Sequence, residues 1–216
     1  MRSSYRFYRF CFRLARVLLG FVYRFEIRGK ENIPDGAALV CANHSNLIDP
    51  ILVAFACGIE NHMHVIAKAE LYRVPVLSAV IRNLGTIRVD RGIQDVKTIK
   101  ETFGYLSKGA KIAIFPEGTR STVEDSIAAK SGAVKIAEHT GAPLVPLFIP
   151  RRKPLFRKII MVIGEPYHIE KSSAKHKPDE YSRLAEVLMD RIKTLNPAVR
   201  KTKAVGGRGT SGIESE

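Results

Sequence analysis

The chain has 216 residues, of which 45% are hydrophobic and 26% are charged, a balance that excludes a disordered or fibrous protein and fits one domain of ordinary size. Its formal net charge is +14 at pH 7, concentrated in residues 1–30, 151–158 and 198–216, and the remaining residues carry equal numbers of acidic and basic groups. A neutral body with basic appendages argues against a nucleic-acid-binding protein and favours a domain that lies against an anionic surface.

The first 23 residues are the most strongly patterned segment. Five arginines spaced four, three, four and three residues apart share one stripe of a predicted helix. They are Arg2, Arg6, Arg9, Arg13 and Arg16. Aromatic and aliphatic residues fill the opposite side, which favours an amphipathic helix in the interface of an anionic membrane. The alternative is an amphipathic helix docked on the domain. No apolar run is long enough to predict a membrane-spanning helix.

Short apolar runs alternate with amphipathic segments in residues 24–197. The predicted strands are residues 25–29, 37–43, 63–68, 86–89, 111–115, 143–150 and 158–164. The predicted helices are residues 50–57, 75–83, 93–106, 126–139 and 179–195. This alternation predicts an α/β domain with a mostly parallel central sheet covered by helices on both faces. The glycine-rich residues 198–216 are predicted to form a disordered tail.

Polar side chains follow the predicted strands at the points where the strands end. They are Asn43 and His44 with Asp49, Asp90 and Arg91, residues 116–121 of sequence PEGTRS, and Lys68 at the end of a fourth strand. In open α/β sheets, ligands bind outside the carboxyl ends of parallel strands. The sequence therefore predicts one site assembled from these groups.

His44 and Asp49 form the first candidate pair. Residues five apart diverge around a single helix, so the two side chains meet only if His44 lies on a turn and Asp49 opens the next helix. Asp49-Pro50 is typical of an N-cap followed by proline at the first helical position. A carboxylate there can hold one imidazole nitrogen and leave the other as a base. The alternative is that Asp49 only caps the helix and that His44 is a hydrogen-bonded loop residue.

The PEGTRS segment is the second candidate. Gly118 allows the backbone to approach an anion, and Arg120 offers a planar two-pronged donor, which together favour phosphate binding. The alternative is a turn in which Glu117 and Arg120 pair with each other. No metal site is predicted, because His62 and His64 lack a third ligand at suitable spacing.

Taken together, these motifs resemble those of the 1-acyl-sn-glycerol-3-phosphate (lysophosphatidic acid) acyltransferase family over roughly residues 25–165. They are Asn43-His44-x4-Asp49, Gly85-x4-Asp90-Arg91, FPEGTRS at residues 115–121, and Val145-Pro146. The resemblance implies transfer of a fatty acyl group from a thioester, acyl-CoA or acyl carrier protein, to the sn-2 hydroxyl of lysophosphatidic acid. The product is phosphatidic acid, an intermediate of phospholipid biosynthesis, and the reaction needs no cofactor.

The resemblance also implies roles for single residues. His44 would be the general base, Asp49 its orienting partner, and Val145-Pro146 a wall of the acyl or acceptor site. The implied substrate-binding residues, with Arg120 on the phosphate, are Lys68, Arg91, Glu117, Gly118, Thr119 and Arg120. Asn46 and Arg88 depart from the family pattern near the acceptor site, so they leave the acceptor open.

Other interpretations remain at this point. The acceptor can be glycerol-3-phosphate or another lysolipid, water can replace it in a hydrolase, or the chain can be a non-catalytic membrane-binding module. The expected location is the cytoplasmic face of the cell membrane, as a peripheral protein without a nucleic-acid partner. The basic run RRKPLFRK at residues 151–158 is interpreted as a contact with lipid headgroups, with the phosphates of coenzyme A, or with acyl carrier protein.

Overall fold

The computed structural model describes residues 2–89, 96–123, 128–170 and 177–199, with side chains from residue 5 onward. The strands in these residues are β1 (Arg24–Arg28), β2 (Ala38–Ala42), β3 (Met63–Lys68), β4 (Ile87–Val89), β5 (Lys111–Ile114), β6 (Leu144–Phe148) and β7 (Lys158–Ile163). The α-helices are α1 (Arg2–Val22), α2 (Asp49–Cys57), α3 (Pro75–Asn83), α4 (Val96–Leu106), α5 (Gly132–Thr140) and α6 (Pro178–Thr194). Short 3-10 helices at Lys30–Asn32 and Ala69–Arg73 were not predicted from the sequence.

One sheet contains these strands in the order β1-β7-β6-β2-β5-β3-β4. Strand β2 pairs in parallel with β5 and β6, and β3 pairs in parallel with β4 and β5. Strand β7 is antiparallel to β6, and β1 is parallel to β7. The carboxyl ends of β2 to β6 therefore meet at one edge of the sheet. The predicted mostly parallel sheet is confirmed.

The central strand β2 is buried on both faces. Ala38, Val40 and Ala42 contribute to the core that α1 and α2 cover, whereas Leu39 and Cys41 contribute to the core under α4, α5 and α6. Because successive side chains of a strand point to opposite faces, a strand between two cores must be apolar throughout. This explains the continuous apolar run of β2.

Most predicted boundaries differ from the structure by one or two residues, and the start of α5 differs by six. Helix α5 begins at Gly132 rather than at residue 126, and the N–H of Lys130 donates to the carbonyl of Pro116 at 2.8 Å. That hydrogen bond holds the segment before α5 against the turn after β5, so residues 128–131 do not extend the helix. Helix α4, predicted from residue 93, is described from Val96. Of the predicted tail, residues 198–199 are described and are helical, and residues 200–216 lie outside the described residues.

Helix α1 has two apolar sides. Its buried side, which includes Tyr8 and Phe12, packs on the domain, and the Phe12 ring meets Phe55 of α2 at 5.0 Å between centroids. A second apolar stripe faces outward. It consists of Phe10, Leu14, Val17, Leu18 and Phe21. The single apolar face inferred from the sequence is thus divided between the domain and the surroundings. No helix in the described parts of the chain has both the length and the apolar character needed to cross a membrane.

Candidate active site

Asn43 joins the carboxyl ends of β2 and β6. Its side-chain Nδ2 donates to the carbonyl of Ile149 at 2.7 Å, and its Oδ1 accepts from the N–H of Ile149 at 2.9 Å. The buried amide thereby extends the pairing of the two strands by one step, since it replaces the backbone partners that Ile149 would otherwise need. His44 follows directly and starts the turn that leads to α2.

Asp49 is held by four neighbouring groups. Its Oδ2 lies 3.0 Å from Nδ1 of His44 and accepts the N–H groups of Ser45 at 2.6 Å and Asn46 at 2.7 Å. The ammonium group of Lys153 lies 2.8 Å from Oδ1. The side chains of Asp49 and Lys153 are each 1% exposed. The carboxylate therefore has a single available orientation, and the structure brings the predicted His44–Asp49 pair together.

The environment of Asp49 keeps its carboxyl group ionised. Burial by itself raises the pKa of Asp49, but the hydrogen bond with His44, the charge of Lys153 and the N–H of Ser45 outweigh it. The pKa consequently lies below its ordinary value. An ionised Asp49 accepts the Nδ1 proton of His44, which leaves Nε2 with its lone pair toward the cleft.

The predicted capping role of Asp49 is wrong. Helix α2 begins at Asp49, but the N–H groups of Ile51 and Leu52 donate to the carbonyl of Ile48 and not to the Asp49 carboxylate. The carboxylate is directed back to the turn because its N–H donors lie there. Asn46 shapes the same turn, since its Oδ1 accepts the N–H of Ile48 at 3.3 Å.

The imidazole of His44 is fixed by stacking as well as by Asp49. Its ring lies 4.2 Å from the ring of Phe115, measured between centroids, with 23° between the planes. Its backbone carbonyl accepts the N–H of Ser121 at 2.9 Å. Among the described residues, no group forms a hydrogen bond with Nε2 of His44. This nitrogen is therefore available to a substrate hydroxyl.

A cleft of about 410 Å³ opens beside His44 at the carboxyl edge of the sheet. Its walls are mainly apolar side chains of β3, the turn after β5 and the start of α5. The basic residues that line it are Lys68, Arg120 and Lys130, and the described lining contains no acidic residue. The structure thus places Lys68, Gly118 and Arg120 of the predicted set in one cleft with His44, and Thr119 is exposed next to them.

Gly118 has a backbone conformation that favours glycine, and the side chain of Lys130 lies against it. Its φ is +65°, and a Cβ at this position would lie 2.8 Å from Cε of Lys130. A side chain here would displace Lys130 as well as strain the backbone. Sequence reasoning missed Lys130, because it placed this residue within a regular helix. The signal that could have identified it is a lysine two residues before the glycine at the helix start.

Glu117 faces away from the cleft. Its carboxylate forms two parallel hydrogen bonds with the guanidinium group of Arg151, at 2.8 Å and 3.2 Å, and is almost completely buried. Arg151 also donates to the carbonyl of Ser121 at 2.8 Å. Glu117 therefore supports the turn that carries Arg120, whereas the sequence suggested a substrate contact or a pair with Arg120.

Several other predicted residues lie elsewhere. Arg91 lies outside the described residues. Val145 and Pro146 are buried in β6, before the carboxyl end of this strand at Phe148, and they do not line the cleft. Of the basic run, Arg151 and Lys153 point into the site rather than toward a lipid or donor. In the described ranges, no group of three or more His, Cys, Asp or Glu side chains is arranged to hold a metal ion.

Comparisons with known proteins agree with this architecture. The sequence profile of the acyltransferase family matches residues 24–150. The 1-acyl-sn-glycerol-3-phosphate acyltransferase of Bacillus subtilis is 30% identical over 194 residues, which cover 87% of this chain and 96% of the relative. The enzyme of the same name from Borreliella burgdorferi is 29% identical over 205 residues, covering 88% and 78%.

A solved structure shows the same fold. The crystal structure of the 1-acyl-sn-glycerophosphate (LPA) acyltransferase PlsC from Thermotoga maritima has a TM-score of 0.62 and 25% identity. It covers 97% of this chain, which in turn covers 81% of that protein. As the motifs at His44 and residues 115–121 predict, the chain therefore belongs to the acyltransferase family, together with 1-acyl-sn-glycerol-3-phosphate acyltransferases.

Proposed function

We propose that the protein is a 1-acylglycerol-3-phosphate O-acyltransferase, which moves a fatty acyl group from a thioester to the sn-2 hydroxyl of lysophosphatidic acid. The observation that carries this proposal is the cleft in which the oriented imidazole of His44 lies with Lys68 and Arg120. The names of the relatives from Bacillus subtilis and Thermotoga maritima support the same reaction.

His44 acts as the general base in this proposal. Nε2 takes the proton of the sn-2 hydroxyl while the hydroxyl oxygen attacks the thioester carbonyl. The tetrahedral intermediate then collapses, the carbon–sulfur bond breaks, and the imidazolium returns the proton to the thiolate of the donor. A thioester is already activated, so a positioned base and a positioned hydroxyl supply the main catalytic contributions.

Asp49 and Lys153 position His44. Asp49 stabilises the imidazolium that forms during the reaction and keeps the ring in the tautomer with the proton on Nδ1. Lys153 neutralises the buried carboxylate and binds the oxygen that His44 does not use. The Nζ of Lys153 also donates to Oγ of Ser45 at 2.9 Å, which fixes the turn that bears His44.

The acceptor phosphate is bound by the basic side of the cleft. Lys68, Arg120 and Lys130 come from three separate segments and line the same space, where the described walls provide no opposing carboxylate. The first residues of α5, Gly132 and Ala133, also line it, and a helix N-terminus favours an anion. A phosphate monoester fits this combination better than an uncharged acceptor does.

We expect Arg120→Ala to raise the KM for the acceptor about ten- to hundredfold with little change in kcat. A hydrogen bond to a charged group contributes about 1.5–3 kcal/mol, and about 1.4 kcal/mol corresponds to a tenfold change. Arg183→Ala is the matched control, because Arg183 is exposed on α6 outside the cleft. Steady-state kinetics with varied acceptor measure the effect, and an unchanged KM would exclude Arg120 from the phosphate site.

One assay tests the proposed activity itself. Acyl-CoA and acyl carrier protein are each offered with lysophosphatidic acid and with glycerol-3-phosphate. We expect phosphatidic acid as the main product, because the apolar walls of the cleft suit an acceptor that carries an acyl chain. Preferred acylation of glycerol-3-phosphate would assign the alternative acceptor, and release of free fatty acid without an acceptor would assign a hydrolase.

The proposed substrate and product are membrane lipids, so the proposed location is the cytoplasmic face of the cell membrane, as a peripheral protein. The outward stripe of α1, flanked by the exposed Arg6, Arg9 and Arg13, supports binding to an anionic bilayer. Substitution within this stripe tests the idea better than deletion of α1. Deletion would uncover Phe55 and the rest of the core that α1 covers.

A further inference from the structure

We propose that the loop between β6 and β7 is a second lipid-contact element, whose tip, Leu155–Phe156, enters the headgroup region of an anionic bilayer beside α1. This inference rests on the proposed function only for the lipid nature of the substrate. It assigns an interaction surface to the apolar part of the basic run at residues 151–158.

The tip is apolar and exposed. Leu155 is 63% exposed and Phe156 is 76% exposed, although both are large hydrophobic residues. Phe156 has a φ of +60°, and no other non-glycine residue in the described ranges has a positive φ. Such a conformation is unfavourable for a bulky side chain, and the protein gains no packing in return, because the ring projects into the surroundings. Burial of the Phe156 ring in a lipid bilayer would offset this conformational cost.

The tip adjoins the exposed stripe of α1. The N–H of Phe156 donates to the carbonyl of Val22, the last residue of α1, at 2.8 Å, and the hydroxyl of Tyr23 donates to the carbonyl of Lys153 at 3.3 Å. Phe21, the end of the stripe, is 78% exposed. Helix α1 has 21 residues and is about 30 Å long, so stripe and tip together form an extended apolar surface.

Arginines border this surface. In the loop, Arg152 and Arg157 are exposed on either side of the tip, and α1 adds the exposed Arg6, Arg9 and Arg13. A long apolar strip with basic flanks matches an anionic bilayer, where the rings reach the acyl boundary and the guanidinium groups meet headgroups. An acidic carrier protein would match the arginines but would leave most of the apolar strip in water.

The base of the loop is held in place because two of its basic residues, Arg151 and Lys153, face inward. Arg151 forms an ion pair with Glu117. Lys153, which lies two residues before the tip, forms an ion pair with Asp49. The same loop therefore supports the candidate catalytic pair on its inner side and presents Leu155 on its outer side. Lipid contact at the tip places the membrane surface next to the site that receives the lipid, because Leu155 is only two residues along the chain from Lys153, which contacts Asp49.

A single tryptophan tests the proposal, because the chain contains none. Phe156→Trp introduces one reporter at the tip, and Val187→Trp introduces a control on α6, which packs on the opposite face of the sheet and where Val187 is 42% exposed. With vesicles of phosphatidylglycerol and phosphatidylcholine, we expect the tip tryptophan to shift to the blue. Brominated acyl chains are expected to quench it and to leave the control unquenched.

A second variant measures the contribution of the tip. Leu155→Ser combined with Phe156→Ser is expected to lower the vesicle partition coefficient by about tenfold or more, because burial of one such side chain contributes about 1.5–3 kcal/mol. The control variant Val187→Ser is expected to leave the vesicle partition coefficient unchanged. The kcat with a short-chain acceptor in free solution is expected to stay at its original value, so loss of lipid contact is separated from loss of chemistry.

Three results would overturn the proposal. The first is a protein that sediments with vesicles while the tip tryptophan stays unquenched, which leaves α1 as the contact. The second is a blue shift on addition of acyl carrier protein instead of vesicles, which makes the loop a donor surface. The third is no vesicle binding at all. None of these readouts uses acyl transfer, so failure here is distinct from failure of the proposed activity.

Discussion

Replacement of His44 by alanine is expected to lower kcat about 10²- to 10⁴-fold, because the reaction loses its general base. The fold is expected to survive. Asp49 keeps two backbone N–H donors and the ammonium group of Lys153 in this variant, so no buried charge loses all its partners. Initial rates at saturating donor and acceptor measure the change in kcat, and thermal unfolding verifies the fold.

His168→Ala is the matched control for this experiment. The side chain of His168 is exposed and bonds to the carbonyl of Gly141 at 3.0 Å, beyond the C-terminal end of α5, and neither residue lines the cleft. We expect this variant to keep the original kcat. An active His44→Ala protein would contradict the general-base mechanism and would favour a role of the cleft in lipid binding alone.

Replacement of Lys153 by methionine is expected to lower the free energy of unfolding by about 3 kcal/mol at pH 7. Removal of one partner from a buried ion pair typically costs about 3–5 kcal/mol, and the lower end applies because Asp49 retains other donors. Urea denaturation measures the loss. Arg152→Met is the control, because the neighbouring Arg152 is exposed and its loss is expected to change stability by less than about 0.5 kcal/mol.

The Lys153→Met effect is expected to depend on pH in a defined direction. The folded-state pKa of Asp49 is lowered, so this carboxylate contributes stability above its unfolded pKa, near 4, and loses it as the pH falls through the folded value. The difference between wild type and variant should therefore shrink below about pH 4. Combining Lys153→Met with Asp49→Asn isolates the pairwise energy, and independent, additive effects would contradict the pairing.

The local elements were predictable because their signals are local. Strand β3 and helix α3 begin and end where the sequence pattern predicted, since apolar runs, Pro75 and Gly85 mark their limits. Helix α5 was predicted six residues too early. Its amphipathic pattern continues upstream of Gly132, but the bond from Lys130 to Pro116 overrides it. Tertiary contacts of this kind leave no periodic trace in the sequence.

The residues of the candidate site also fall into those that the sequence predicted and those that only the structure showed. The sequence by itself determined the α/β class and the family, and it predicted His44, Asp49 and Arg120 at one site, because each rests on neighbouring residues or on a short motif. It missed Lys130 and assigned Glu117 to the wrong side of the turn. Only the tertiary structure showed that Lys153 and Arg151 complete this site. They lie more than 100 residues from His44 and come close because β6 pairs with β2. Strand order is decided by the packing of the whole sheet. The basic run at residues 151–158, which the sequence suggested as one surface contact, therefore has two parts: the side chains of Arg151 and Lys153 point into the site, and Leu155 and Phe156 form an exposed apolar tip.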